Sequence, residues 1–266
     1  MTDRRSRRTA QTAENAAVDG VRAAFSWLTI LPVRGPRIAD RHAGSWAIAA
    51  SPLIGLGLGV LAALSLWGLI ALDLPAPLAG LITVALLALL TRGMHLDGLA
   101  DTADGLGTYT PPQKALEVMH SGGSGPFGVA TLVLCLMGQA FAFGALAEQG
   151  KLVAVVVAIA TARIAVVLAC RPGIRPARPE GFGALVVGTQ SWAVIGTWLI
   201  AAIFVSIVAV PERPYQGTIV IALALLATFL FTTHCARRFG GLNGDVLGAV
   251  LELTVVLVAV GMLAGG

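Results

Sequence analysis

The chain has 266 residues, of which 56% are hydrophobic and 12% are charged, and its mean hydropathy is +0.84. These values exclude an ordinary soluble domain and are typical of a polytopic membrane protein. The net charge of +4 does not indicate nucleic-acid binding, because the basic residues cluster at the ends of apolar runs, which is a pattern of membrane topology.

The first 42 residues are predicted to form a cytosolic segment with one helix at the membrane interface. Met1 to Arg8 is rich in arginine, but no apolar run of a signal peptide follows it directly. Between residues 14 and 31, apolar side chains such as Val18 and Leu28 recur at helical spacing among polar ones. This pattern is typical of a helix that lies in the membrane interface, or of one that packs against a bundle.

Seven apolar runs after this segment are long enough to cross a bilayer, which takes about 20 residues at a rise of roughly 1.5 Å each. We therefore predict a single integral membrane domain within 1–266, an all-α bundle of about seven transmembrane helices over 43–266. With a cytosolic N-terminus, nearly all Lys and Arg residues face the cytosol, in agreement with the positive-inside rule. The predicted spans are 43–71, 77–95, 127–147, 152–170, 192–210, 216–235 and 246–264, and the predicted cytosolic loops are 96–126, 171–191 and 236–245.

The stretch from His95 to Gly107 carries three of the fourteen acidic residues of the chain, Asp97, Asp101 and Asp104. On a helix, spacings of four and three place these carboxylates within roughly 60° of one another. Because an apolar run precedes them, we expect them at a helix C-terminus, where mutual repulsion and the helix dipole both disfavour them. A bound cation would relieve both penalties. Three structural acids on a solvated face are the alternative.

A glycine-rich segment precedes the third predicted span. Ser124 is a candidate cap of that span, with Pro126 in its first turn. Glycines allow close approach of the backbone, and free N–H groups at a helix N-terminus attract phosphate. The segment is therefore either a phosphate site or an ordinary flexible connection. The glycines concerned are Gly122, Gly125 and Gly128.

The other two cytosolic loops carry arginines and one further acid. Guanidinium groups suit phosphate oxygens, although arginines that anchor membrane topology look the same in a sequence. Asp245 begins the last predicted span, where helix capping alone would explain it. The candidate substrate ligands in these loops are Arg171, Arg178, Glu180 and Asn243.

Two charged residues lie deeper within the predicted spans. Arg163 precedes Arg171 by eight residues and Glu252 follows Asp245 by seven, which places each roughly 10–12 Å below the cytosolic surface. Charges at that depth are costly and are usually paired or functional. Our hypothesis is that Arg163 and Glu252 pair across two helices, or that Glu252 extends the acidic site.

These groups together favour phosphoryl or nucleotidyl transfer, which needs a metal ion, donors to phosphate and an in-line geometry. We predict Mg²⁺ as cofactor, because it prefers carboxylate oxygens, with Asp97, Asp101 and Asp104 as ligands and Asp245 as the fourth. His95 is either a partner of these ligands, a proton carrier or a packed histidine. A cation transporter is the alternative class, but transport sites tend to lie near the membrane midplane.

The segment 93–105, GMHLDGLADTADG, closely resembles the signature of the cobalamin synthase family, membrane enzymes also called adenosylcobinamide-GDP ribazoletransferases. Blocks at 25–33, 180–183 and 244–252 extend the resemblance over almost the full length. The resemblance implies a Mg²⁺-dependent enzyme of the bacterial inner membrane. In the implied reaction, α-ribazole or its 5′-phosphate attacks the cobinamide-linked phosphate of adenosylcobinamide-GDP, GMP leaves, and adenosylcobalamin or its phosphate forms.

One position departs from the family pattern, because His120 and Ser121 stand where an Arg-Asp pair follows the Glu-x-Met block. The departure keeps open a non-catalytic subunit of a corrin-assembly complex. It also leaves His120 as either a base or a solvated loop histidine. Since the rest of the signature is intact, we expect activity, with assembly as a homo-oligomer or with other corrinoid enzymes as a further expectation.

Overall fold

A computed structural model describes residues 18–36, 38–120, 122–207, 209 and 213–264. Ser121, the arginine-rich segment from Met1 to Arg8 and the first four residues of the predicted interfacial helix, 14–17, lie outside these ranges. The described part of the chain is α-helical with connecting loops and contains no strand, only one isolated β-bridge. Its helices are α1 (18–28), α2 (Arg41–Ala71), α3 (Ala76–Leu90), α4 (Met94–Gly107), α5 (Pro112–Met119), α6 (Pro126–Glu148), α7 (Leu152–Ala169), α8 (Phe182–Val186), α9 (Trp192–Ser206), α10 (Pro214–Phe239) and α11 (Gly244–Leu263).

The prediction of an all-α polytopic membrane protein is confirmed. Among the described residues, five helices are long and apolar enough to cross a bilayer, namely α2, α6, α7, α10 and α11. A sixth span results if α3 and α4 are counted together, and α9 is an apolar helix of only 15 residues. The predicted number of seven spans is therefore reached only if both the α3–α4 pair and α9 cross the membrane.

The predicted span 77–95 is wrong at its C-terminal end. α3 ends at Leu90, and α4 starts at Met94 after a bend of 95°. Arg92 and Gly93 occupy the left-handed region at the bend, with φ values of 58° and 64°. Asp97 consequently lies in the first turn of a new helix, where the dipole favours an anion, and not at a helix C-terminus as we expected.

Glycines allow three pairs of helices to pack closely, as is common in membrane bundles. A Cβ atom added at Gly55 of α2 would lie 2.7 Å from Cγ of Arg163 on α7, and Gly80 of α3 packs in the same way against α6. Between α4 and α11, a Cβ atom at Gly98 would lie 2.7 Å from the carbonyl oxygen of Asp245. α7 lies at the centre of the bundle, since most of its residues are buried.

The loops at one end of the bundle are joined by backbone hydrogen bonds. The amide of Ala177 donates to the carbonyl of Leu242 at 2.8 Å, and the amide of Leu242 donates to the carbonyl of Arg175 at 2.9 Å. We call this region, which contains α4, α5, α8 and the loops 171–181 and 240–243, the acidic end of the bundle. Its loops are thereby fixed relative to the start of α11.

Candidate active site

Three aspartates from distant parts of the chain line one open cavity at the acidic end. Asp97 and Asp101 come from α4 and Asp245 from α11, and we call this space the acidic cavity. Burial, followed by the neighbouring charges of Asp97 and Asp245, raises the pKa of Asp101 to about 6. The arrangement depends on the glycine contact between α4 and α11, because a larger residue at position 98 would push Asp245 away.

Asn243, and not Asp245, caps α11. Its Oδ1 accepts a hydrogen bond from the amide of Val246 at 3.1 Å, which is the ordinary geometry of an N-cap. Its Nδ2 donates to Oδ2 of Asp245 at 2.7 Å. One side chain therefore starts the helix and fixes the orientation of the Asp245 carboxylate beside the cavity.

Asp104 is directed away from the acidic cavity and caps α6. It is buried, and its two oxygens accept hydrogen bonds from the amides of Gly125 at 2.6 Å and Gly128 at 2.9 Å. A carboxylate at a helix N-terminus is favoured both by these donors and by the dipole. Ser124 is therefore not the cap that we expected, and the amides of Gly125 and Gly128 are already occupied by Asp104. The role of Asp104 as a metal ligand stays a prediction.

The glycine-rich segment thus has two parts with different surroundings. Gly122 and Gly123 line the acidic cavity, where an added Cβ atom at either position would meet nothing within 4 Å. Gly122 has a φ of 76°, a conformation that favours glycine. Of the predicted phosphate-binding glycines, only Gly122 borders the space that a substrate would enter.

A second cavity adjoins the first and contains one arginine among its lining residues. Arg178, Glu180 and Asn243 line it, and His120 and Asp245 border both spaces. We call it the arginine cavity. Nη2 of Arg178 donates to the carbonyl of Leu116 at 3.2 Å, which holds the guanidinium beside α5. A phosphate group could therefore contact Arg178 while a neighbouring group lies near the aspartates.

Arg171 does not reach either cavity, which corrects the prediction that it binds substrate. Its side chain is buried between α7 and α10, where it donates to the hydroxyls of Thr232 at 2.9 Å and Thr233 at 2.7 Å. Its guanidinium also lies 4.2 Å from the ring centroid of Phe229. These contacts make Arg171 a structural link between two helices.

The two deep charges do not form a direct ion pair, although both belong to the described part of the chain. Arg163 Nη1 lies 3.4 Å from His95 Nε2, while Gln139 donates to Glu252 Oε2 at 2.6 Å. All four side chains are buried and line a small chamber deep in the bundle. Direct pairing of Arg163 with Glu252 is thus incorrect, and Glu252 does not line the acidic cavity.

A third cavity lies between the acidic cavity and this buried chamber. Asp97 and Asp245 line it at one end, and His95 and Arg163 line it at the other. We call it the inner pocket. Its existence means that Asp97 and Asp245 border both a polar cavity and a mainly apolar one.

The family profile described as cobalamin-5-phosphate synthase matches residues 20–263. The chain belongs to this family. An adenosylcobinamide-GDP ribazoletransferase of Corynebacterium efficiens is 38% identical over 92% of this chain and 91% of its own. Proteins of the same name from Frankia casuarinae and Shigella dysenteriae are 36% and 35% identical, over 88% and 87% of this chain and 90% and 94% of their own. No solved structure matches the chain.

The side chains of this member of the cobalamin-5-phosphate synthase family can be compared with the ligands that Mg²⁺ requires. Within the described ranges, no three Asp, Glu, His or Cys side chains converge closely enough to form a closed metal site. Mg²⁺ commonly keeps several waters and binds through one or two carboxylates plus substrate phosphates. The open cavity with Asp97, Asp101 and Asp245 fits that mode of binding.

Sequence reasoning missed one polar residue of this region, Gln139. An amide within an apolar span is the signal that would have identified it, because such a group needs a hydrogen-bond partner inside the bundle. In the structure that partner is Glu252.

Proposed function

We propose that this chain is an adenosylcobinamide-GDP ribazoletransferase. It joins α-ribazole, or its 5′-phosphate, to adenosylcobinamide-GDP and releases GMP, forming adenosylcobalamin or its 5′-phosphate. The observation that carries the proposal is the convergence of Asp97, Asp101 and Asp245 on one cavity in a chain of this family. The names of the similar relatives support it and do not favour a cation transporter.

In the proposed reaction, a ribose hydroxyl of the acceptor attacks the cobinamide-linked phosphorus. The bond from this phosphorus to the oxygen that bridges to GMP breaks, and GMP carries away the electron pair. Such displacements proceed mainly through positioning and electrostatic stabilisation. One or two of Asp97, Asp101 and Asp245, together with phosphate oxygens of the substrate, would hold Mg²⁺, which would neutralise charge on the diphosphate.

Arg178 and His120 have separate roles in this proposal. Arg178 lies in the adjoining cavity, where its guanidinium would bind a phosphate of the leaving GMP. His120 borders both cavities, and its Nδ1 lies 2.8 Å from the carbonyl of Leu116. With Nδ1 donating to that carbonyl, Nε2 remains as an acceptor for the proton of the attacking hydroxyl.

The acidic end is proposed to face the cytosol of a bacterial inner membrane. The basic residues support this orientation, because loop 171–181 carries three arginines and α5 carries Lys114, whereas the described turns at the opposite end carry only Lys151 and Arg213. Both substrates would then reach the site without crossing the bilayer.

The test uses purified protein in lipid nanodiscs with adenosylcobinamide-GDP, α-ribazole and Mg²⁺, following GMP release and corrinoid product together. We expect one GMP for each product molecule, and near-complete loss in Asp101→Asn and Asp245→Asn. Asp73→Asn is the matched control, since Asp73 lies in the turn before α3 and its φ of 59° suits asparagine. A folded wild type that releases no GMP, or full activity in both site variants, would refute the assignment.

A further inference from the structure

The inner pocket has an apolar wall and a polar floor. Its volume is about 250 Å³, and it lies between the acidic cavity and the buried chamber. Asp97 and Asp245 stand at its mouth, while His95 and Arg163 form its floor. The wall between them includes Leu28, Ile48, Val166 and Leu247.

Two residues at the floor, which also line the buried chamber, carry hydrogen-bond donors that have no partner within the protein. His95 and Arg163 are only 7% and 3% exposed, and His95 Nδ1 and Arg163 Nε lack any hydrogen-bond partner. Because a guanidinium only donates, its contact with His95 Nε2 leaves the ring hydrogen on Nδ1. Both unpaired atoms are therefore donors, and unpaired buried donors are costly unless a ligand or water satisfies them.

This combination selects one kind of ligand group. An apolar wall accepts a flat hydrophobic ring, and the floor donors require an acceptor atom at its inner edge. Guanine fits this description less well, because among the charged lining residues only the carboxylates of Asp97 and Asp245, at the mouth, could accept from its amino and imino donors. A bicyclic ring with a single acceptor nitrogen and no donor does fit.

We propose that the inner pocket is the binding subsite for the base of α-ribazole. This inference rests on the proposed function. That base is dimethylbenzimidazole, an apolar bicycle whose one free ring nitrogen accepts a hydrogen bond. With the nitrogen at the floor near Arg163 and His95, the attached ribose lies at the mouth, between Asp97 and Asp245. Its hydroxyl groups then reach the acidic cavity, where the phosphate is attacked.

Phe182 supports the same placement. It begins α8 and borders both the inner pocket and the arginine cavity. Its ring makes an edge-to-face contact with Trp27, with centroids 6.1 Å apart, which fixes its position. An aromatic ring at the mouth is well placed to stack on a flat base and to separate that base from the guanosine of the donor.

The first experiment fills the pocket. Val166→Phe places an aromatic ring in the wall. We expect the KM for α-ribazole to rise about tenfold or more, while the KM for adenosylcobinamide-GDP stays within about twofold. Val256→Phe is the matched control, because Val256 lines a groove of equal volume, about 250 Å³, between α10 and α11. The control is expected to leave both KM values unchanged.

The second experiment tests the floor donors. An α-ribazole analogue with C–H in place of the acceptor nitrogen should be used about 100-fold less efficiently by the wild type, because it leaves the donors unpaired. In His95→Phe and Arg163→Met, the ratio of kcat/KM for α-ribazole to kcat/KM for the analogue should fall towards one. The ratio of kcat/KM values for the two acceptors is measured within one variant, so a loss of folded protein cancels. Two variants are used because Arg163→Met also leaves Glu252 without a nearby positive charge.

Calorimetry of α-ribazole binding, without the donor substrate, separates this inference from the proposed function. If wild type binds α-ribazole and Val166→Phe does not, the pocket assignment stands even where no GMP is released. If both bind it equally, or if Val166→Phe raises only the KM for adenosylcobinamide-GDP, the assignment is overturned while the transferase function is retained.

Discussion

The two halves of α4 carry aspartates at regular spacing but face different neighbours. In the part up to residue 101, Asp97 and Asp101 border an open cavity together with Asp245. In the C-terminal half, Asp104 is buried against the start of α6 and accepts two backbone hydrogen bonds. Aspartates on one helix therefore line the acidic cavity in one part and cap a neighbouring helix in the other.

The difference shows that the groups opposite a carboxylate determine its role. Asp97 and Asp101 meet another carboxylate, so their charges repel one another and favour a cation. Asp104 meets free N–H groups, so its charge is already compensated. Helical spacing predicts that acids share a face, but it does not predict what that face contacts.

The largest expected effect is a loss of activity when a carboxylate of the acidic cavity is removed. Asp97→Asn removes one charge from the acidic cavity, and we expect GMP release to fall about 100-fold or more while the melting temperature stays the same or rises, because repulsion is relieved. Titrating Mg²⁺ should show a higher half-saturating concentration. If Asp104→Asn lowered activity equally with unchanged stability, the two halves of α4 would not differ as described.

The contact between α4 and α11 gives the next largest effect. Gly98→Val would press a side chain against the backbone of Asp245, so we expect activity to fall about tenfold and stability to fall by about 1–3 kcal/mol. Thermal unfolding and GMP release in the same lipid nanodiscs measure both. Gly57→Val is the control, since a Cβ atom at Gly57 meets nothing within 4 Å. Equal behaviour of the two variants would contradict a close α4–α11 contact.

A substitution at Asp104 should lower the free energy of unfolding more than it lowers activity. Asp104→Ala leaves the amides of Gly125 and Gly128 without their acceptor, which should cost about 2 kcal/mol of unfolding free energy. Activity per folded molecule should fall much less than in Asp97→Asn. Chemical denaturation in detergent measures the loss, and Asp19→Ala on the exposed surface of α1 is the control. Unchanged stability in Asp104→Ala would contradict the structural role of Asp104 that distinguishes it from Asp97 and Asp101.

The smallest expected effect separates the two contacts of Asn243. Asn243→Asp keeps a good N-cap, so stability should change by less than about 0.5 kcal/mol. The new carboxylate, however, replaces a donor to Asp245 with a like charge, and activity should fall severalfold. Asn243→Ala should lower activity too, and it should also lower the free energy of unfolding by about 1 kcal/mol, because the helix cap is lost. The expected order of stability is therefore wild type, Asn243→Asp and then Asn243→Ala.

The sequence predicted the helices well and the partners of individual side chains less well. Apolar runs locate most spans because helix length and hydropathy are local properties. The bend at Arg92 and Gly93 was missed because Thr91, Arg92 and Gly93 interrupt the apolar run close to its end, where such residues also mark the boundary of an ordinary span. The hydrogen bonds of Asp104 and Arg171 were not predicted, because their partners, Gly125 and Thr233 among them, come from other segments. Only the tertiary structure brings those groups together.

The bend between α3 and α4 links the acidic cavity to the thickness of the membrane. The fifteen residues of α3 rise roughly 22 Å along the helix axis, less than the ~30 Å of a typical hydrocarbon core. Since α4 then turns by 95°, it lies across the bundle at a depth that α3 sets. The thickness of the bilayer therefore affects the depth of the acidic cavity. Lipids with longer chains would place the aspartates deeper and slow the entry of water and phosphate.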